Sequence, residues 1–308
     1  MLFIPLALAT ITFAQTKAAI VQTELDRAGF SCNTIDGVWG GKSARAESAY
    51  AAAHGLPPAA TAEDAYRAHF RNRGSPYRWD TVTAEDLAAL VAIPADPAAK
   101  QELAAMGYES VKEMFAERGH VSTRALERLN PQIADWSRVR AGDRIRIPDF
   151  PSMDEELDAW PRNRPGAPQR PVADLVRISL SRFEVTVYDK SGKLLALFPC
   201  SIAQSKAKLP PQGELRVTTT IPRPNYTYTP DYTPPGQKVR RYIFPPGPNC
   251  PVGIAWIGLS LPGYGIHGTP RPESIGNAES HGCFRLSNWN AARLYAMVKP
   301  GVRVRIEP

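Results

Sequence analysis

The chain has 308 residues, with 37 Lys and Arg against 30 Asp and Glu for a net charge of +7, and 43% hydrophobic residues. That length suggests two domains or three small ones, and the hydrophobic share excludes a wholly disordered chain. Thirty prolines predict long irregular stretches, and the positive surplus suits an anionic partner: nucleic acid, an anionic membrane or a carboxylate-rich polymer.

Residues 1–16 carry no charge, and Leu2, Phe3, Ile4, Leu6, Leu8, Ile11 and Phe13 form an apolar run interrupted by Pro5. The run is shorter than the roughly 20 residues a membrane span needs, so no stable membrane span is expected. Thr12-Phe13-Ala14 before Gln15 supplies the small residues of a signal-peptidase site, although no Lys or Arg precedes the run. Residues 1–14 are therefore expected to be a signal peptide, with a buried N-terminal helix as the alternative. The chain is expected to be exported, to a compartment where disulfides are permitted.

In 17–57, Val21, Leu25 and Ala28 fall on one helical face and Gly29 ends that helix. Asp36-Gly37 signals a turn, and a second helix from Lys42 to His54 carries Ala46, Ala49, Tyr50 and Ala53 on one side. The residues V-Q-x-x-L-x-x-x-G-F followed by I-D-G-V-W-G resemble the helical peptidoglycan-binding module found beside wall enzymes; a generic helical hairpin is the alternative.

Residues 58–105, rich in Ala, Pro and charge, read as a connector of loops and short helices. In 106–148, Val111, Met114 and Phe115 form one apolar face, and Leu126 with Leu129 another. Asn130-Pro131 closes the second helix, because a residue before proline is pushed out of helical geometry. Gly142-Asp143 then turns into the alternating strand 144–148. The order helix, helix, L-N-P, V-R-A-G-D-R-I-R-I-P resembles the second half of a LysM glycan-binding module, without its first strand. Six prolines between Pro148 and Pro171 mark 149–171 as a linker.

From residue 172 the period changes to two. Val176, Ile178 and Leu180 alternate with polar residues, as do Phe183, Val185 and Val187, then Leu215, Val217 and Thr219, and finally 302–306. One helix is expected over about 289–298, capped by Ser287 or Asn288. Residues 222–248 carry Tyr226, Tyr228, Tyr232, Tyr242 and Phe244 among eight prolines, which suits a lid over a groove or a plain exposed insertion.

Chemistry concentrates in 264–288, where His267, His281 and Cys283 lie within 17 residues. Cys283 is the nucleophile candidate, since a nearby imidazole raises the thiolate fraction of a thiol whose ordinary pKa is near 8.5. His281, two residues away, shares its face in an extended segment. His267 ends an apolar run expected to be a neighbouring strand. Gly268 and Gly282 clear side chains from the reacting centre, the amides of Gly282 and Cys283 suit an oxyanion, and Arg285 suits a substrate carboxylate. Two other uses remain open: Cys283 as a disulfide partner, or His267, His281 and Cys283 as zinc ligands. No H-x-E or H-E-x-x-H signature accompanies them, and no metal or cofactor is expected. His54, His69 and His120 read as surface residues.

I-H-G-T, then S-H-G-C-F-R-L, preceded by G-P-N-C-P-V-G-I-A-W-I-G-L, resembles the L,D-transpeptidase catalytic domain of the YkuD type over essentially all of 172–308. The resemblance implies a multidomain chain: a small all-α N-terminal module, a small α+β LysM-like module and a mostly β catalytic domain, a β-sandwich with one helix. It implies Cys283 as nucleophile, His267 as base oriented by the Gly268 carbonyl, and a site shaped by His281, Gly282, Ser280, Thr269 and Tyr264 with Arg285 lining the groove. Cys250 stands where the family usually has Asn, and Ala203-Gln204 where Gly is commoner. The implied reaction is acyl transfer on peptidoglycan tetrapeptide stems through a Cys283 thioester at the third residue, with loss of D-alanine. An amine acceptor gives a 3→3 cross-link and water gives carboxypeptidase activity; a non-catalytic wall-binding protein is the remaining class. Partners are then stem peptides and glycan, and nucleic acid is not expected because no basic-aromatic stripe appears. The sequence leaves the oligomeric state open. With Cys283 reactive, three cysteines remain, and Cys200 with Cys250 is the expected disulfide.

Overall fold

The computed structural model describes residues 16–158, 171–230, 232, 238–280 and 282–308; the expected signal peptide and most of the linker lie outside them. Thr16 caps α1 (Lys17–Arg27) by accepting the Ala19 amide. Val21 and Leu25 are buried as their spacing predicts, whereas Ala28, at the C-cap, is exposed. The side chain of Gln22 holds the following turn, donating to the Asp36 carboxylate and the Val38 carbonyl and accepting the Asp36 and Gly37 amides. Helix α2 (Gly41–His54) ends at left-handed Gly55, and α3 (Ala62–Ala65) joins it around a core of Val21, Leu25, Phe30, Ala46 and Phe70.

The connector holds a strand as well as short helices. β1 (Tyr77–Thr81) precedes α4 (Ala84–Ala88), α5 (Pro97–Gln101), α6 (Val111–Arg118) and α7 (Thr123–Leu129), and β2 (Arg144–Pro148) returns antiparallel to β1 with Tyr77 opposite Pro148. Asn130 fastens α7 to β2: its amide donates to the Leu126 and Arg146 carbonyls, and its oxygen accepts the Arg146 amide. Tyr77 and Val82 share one core with Phe115, Leu126, Ile145 and Ile147, so this unit begins well before residue 106. Hydrophobic alternation does not mark β1, because Trp79, at the strand centre, is 48% exposed.

After α8 (Met153–Asp158), the chain enters its largest core. The strands are β3 (Leu175–Ser179), β4 (Glu184–Tyr188), β5 (Leu194–Pro199), β6 (Ile202–Ala203), β7 (Gly213–Pro222), β8 (Tyr226–Tyr228), β9 (Tyr242–Phe244), β10 (Ala255–Leu259), β11 (Gly265–His267), β12 (Ala278–Ser280) and β13 (Phe284–Arg285). Helix α9 (Asn288–Met297) and β14 (Arg303–Glu307) close the chain. Instead of a two-sheet sandwich, eight strands form one mixed sheet in the order β13-β11-β10-β7-β14-β3-β4-β5, with β6–β12 and β8–β9 as separate ribbons. Pairings β14–β3 and β13–β11 are parallel, and the others in the large sheet are antiparallel.

The expected modules pack against one another. Phe30 bridges Leu197 on edge strand β5, with Leu197 donating to Gly29 and accepting from Ser31, which shields that edge from stray pairing. Every residue of α9 is buried, including the polar Asn290 and Arg293, because the upstream units supply their partners. Arg293 donates to the Asp26 carboxylate at 2.7 Å, Asn290 donates to Ser31, and the Asp26 carboxylate also meets His120 at 2.9 Å. The His120 ring lies between Phe150 and Trp289, with centroids 4.1 and 5.0 Å away. Although burial pushes the Asp26 carboxyl up, Arg293 and His120 hold it well below the usual carboxylate range.

Two expectations are corrected here. The side chains of His69 and His120 are buried, that of His69 against Glu47, because each has a carboxylate partner; of the three, only His54 is exposed. Cys200 and Cys250 form no disulfide: Cys200 belongs to the main core, whereas Cys250 sits in a separate cluster with Met106, Phe244 and Val252, and both are buried thiols, as is Cys32.

Candidate active site

The parallel pairing of β11 with β13 sets the site. Ile266 lies opposite Phe284 and His267 opposite Arg285, which brings Cys283, just before β13, level with Gly265. Side chains two apart share a face, so Cys283, Arg285 and His267 rise from adjacent strands on one side of the sheet. The Cys283 thiol is half-buried, donates to the Gly263 carbonyl at 3.5 Å, and faces the Gly265 amide. Burial pushes its pKa up, while the Gly265 amide and Arg285 draw it down.

His267 is 5% exposed and its Nδ1 donates to the Gly268 carbonyl at 2.7 Å. A carbonyl only accepts, so Nδ1 carries the proton and Nε2 of the neutral ring is left basic. Burial pushes the His267 pKa down to about 4, Arg285 adds to that and the Gly268 bond opposes it. The ring stacks on Trp256, centroids 5.6 Å apart and planes 19° from parallel.

Sequence reasoning missed Trp256. Its indole fills the space above Gly258 and Gly265, where added Cβ atoms would come within 3.2 and 2.6 Å of it. The glycines at alternate, cross-paired positions were the available signal. The sequence marks Asn288 only as a possible helix cap. Its side chain occupies the notch between Gly253 and Gly268, where either Cβ would fall about 2 Å from Oδ1, and it binds the Ile254 amide and the Pro248 carbonyl. Gly268 is therefore required by the approach of Asn288, and its carbonyl is held where His267 meets it. Glu117 of α6 reaches Asn288 and Tyr108, and burial pushes its pKa up to about 8.

The other expected residues are dispersed around this centre. Tyr264 donates to the Lys208 carbonyl and lies near Gly282, which has φ +155°. Thr269 is buried and accepts the Arg271 amide. Ser280 belongs to β12, paired parallel with Ala203, and its side chain is not described; His281 lies outside the described residues. Among the described residues no group of three or more His, Cys, Asp or Glu is gathered to hold a metal. Among the described residues of 222–248, β8 and β9 pair as a ribbon in which Tyr226, Tyr228 and Phe244 pack with Trp256 and Met106 beside the site, while Tyr232 is exposed.

Two adjacent strands thus present a thiol, a neutral imidazole with a fixed tautomer, and a guanidinium. Residues 173–306 match the family model of the L,D-transpeptidase catalytic domain, YkuD. The chain is 29% identical over 196 residues to the YkuD protein of Bacillus licheniformis, covering 64% of this chain and 93% of that one. That stretch is longer than the family match, so part of the similarity lies outside 173–306. YqjB of Bacillus subtilis is 35% identical over 112 residues, covering 34% of this chain and 57% of the relative. Both carry L,D-transpeptidase names. Among solved structures, L,D-transpeptidase 3 of Mycobacterium tuberculosis aligns at 19% identity and a TM-score of 0.36, over 44% of this chain and 61% of that one. An L,D-transpeptidase of Mycobacterium smegmatis aligns at 21% and 0.35, over 44% and 59%. Among the described residues no helix is long and apolar enough to cross a membrane.

Proposed function

We propose that the chain is a cysteine L,D-transpeptidase acting on peptidoglycan tetrapeptide stems outside the cytoplasm. The observation that carries this reading is His267 with its Nδ1 proton fixed on Gly268, one strand away from the Cys283 thiol. His267 Nε2 takes the thiol proton as sulfur attacks the carbonyl of the third stem residue, usually meso-diaminopimelate. The amides at Gly282 and Cys283 donate to the developing oxyanion, and Arg285 offers its fork to a stem carboxylate. The proton returns from His267 to the leaving amine, terminal D-alanine departs, and a Cys283 thioester remains. The side-chain amine of a second stem then attacks, losing its proton to His267, and restores the thiol while forming the 3→3 cross-link.

Ser280, Thr269, Tyr264 and His281 shape the stem-binding surface in this proposal, and β8–β9 borders it as a lid. The units upstream place the domain on wall glycan, a polymer whose stem carboxylates suit a chain of charge +7. Incubation with purified tetrapeptide stems followed by mass spectrometry tests the reaction. Stem dimers lacking one D-alanine are expected. Tripeptides alone would make the enzyme a carboxypeptidase, and unchanged stems would leave only a binding protein.

A further inference from the structure

Among its described residues, the loop between His267 and Cys283 has little regular structure of its own. Between β11 and β13 it contains one turn of 3-10 helix at Pro272–Ser274 and the three residues of β12. Backbone carbonyls in such a loop need donors from elsewhere. Ser201 donates to the Ser274 carbonyl from within the sheet domain. Two more donors come from the N-terminal helical unit: Asn33 Nδ2 reaches the Pro272 carbonyl at 2.7 Å, and Lys42 Nζ reaches the Ile275 carbonyl at 2.5 Å. The next residue, Gly276, has φ +101°, and a Cβ there would lie 2.7 Å from Lys42 Cε, so the lysine stem runs against the loop backbone.

Both donors are themselves held. Asn33 is 1% exposed, adopts φ +75°, and donates its backbone amide to the Ser31 hydroxyl. Ser31 is in turn fixed by Asp26, which pairs with Arg293 of α9. Lys42 projects from the first turn of α2, a helix that also packs on β5 and pairs Arg45 with Glu184 of β4. The helical unit is thus anchored to the sheet and to α9 independently of the loop it touches.

We propose that the N-terminal helical unit is a clamp on the loop joining base to nucleophile, with Lys42 and Asn33 as positioning residues that hold 272–276 and so set where Cys283 stands relative to His267. The kinetic part rests on the acyl-transfer reading above; the mechanical part does not. The clamp gives the unit a role in the site whether or not glycan also binds it.

The test uses the full chain with Lys42→Met combined with Asn33→Gly, glycine being chosen because it tolerates the positive φ, and Lys42→Arg as the conservative variant. Amide hydrogen exchange reads the loop, and kcat and KM on tetrapeptide stems read the chemistry. Loss of a charge-assisted bond is expected to speed exchange over 273–276 roughly tenfold and to lower kcat about tenfold with KM little changed. Exchange in α9 stays at its original rate, and Lys42→Arg retains most of both properties. Unchanged loop exchange overturns the clamp, and so does a uniform rise across the loop and α9, which would mark these residues as general supports. If the unaltered chain transfers no acyl group, the proposed function fails and loop exchange alone decides the clamp.

Discussion

The Nδ1 proton of His267 is held on the Gly268 carbonyl at 2.7 Å, on a ring buried to 5% exposure. That bond fixes the tautomer, and the burial fixes the charge. With the folded pKa near 4, the ring is neutral throughout the physiological range and loses its basic nitrogen only under strong acid. The kcat/KM for acyl transfer is therefore expected to stay level from neutrality down to about pH 5 and to fall by half near pH 4. An acid limb at the ordinary histidine value of about 6.5 would contradict this.

Gly265→Ala tests the packing behind that shift. The added methyl would meet the Trp256 ring at 2.6–2.9 Å and drive it off His267. Overpacking of this kind costs about 1–3 kcal/mol, read as a lowered urea midpoint. Loosening the indole lets water reach the imidazole, so the acid limb moves up toward the ordinary value. A destabilised variant with an unmoved limb would show that Trp256 does not set the His267 environment.

The junction of Asp26, His120 and Arg293 predicts a large mechanical cost. Asp26→Asn leaves the Arg293 guanidinium buried beside a neutral amide, and removing one partner of a buried pair costs about 3–5 kcal/mol. Urea unfolding of the single and double variants with Arg293→Met should show strong non-additivity, the second change costing far less than the first. Additive losses would mean the two residues are not coupled.

Glu117 predicts a slope of stability with pH. Burial raises its folded pKa from 4.5 to about 8, so between those values the folded chain keeps a proton the unfolded chain releases. Its contribution to stability is full below about pH 4.5, falls as pH rises and levels off above about 8. Glu117→Gln removes that proton exchange, and the variant's stability relative to the parent should rise across this window. A constant difference between the two curves would rule out the buried protonated carboxyl.

The strand alternation of 172–308 was legible because Val176, Ile178, Val185 and Val187 face a core on one side of a sheet, and that pattern is local. The pair His267 and Cys283 was legible for a similar reason: short motifs carry them, and β11 and β13 place those motifs side by side. What escaped reading depends on distant parts of the chain. His120 and Arg293 look like ordinary polar residues until Asp26, far from both in sequence, joins them. β1 is half-exposed and four short helices separate it from β2, so nothing near Tyr77 announces its partner. Lys42 and Asn33 reach the Cys283 loop across more than 200 residues, and no spacing rule connects them.

A Cys283 acyl-enzyme is the intermediate on which the proposed reaction depends. Rapid quenching of the chain with tetrapeptide stems, then intact mass and peptide mapping, tests it most directly. The expected result is a mass gain equal to the stem minus D-alanine, mapped to the peptide carrying Cys283 and absent from Cys283→Ala. Stem turnover without any adduct, or turnover that survives Cys283→Ala, would contradict it.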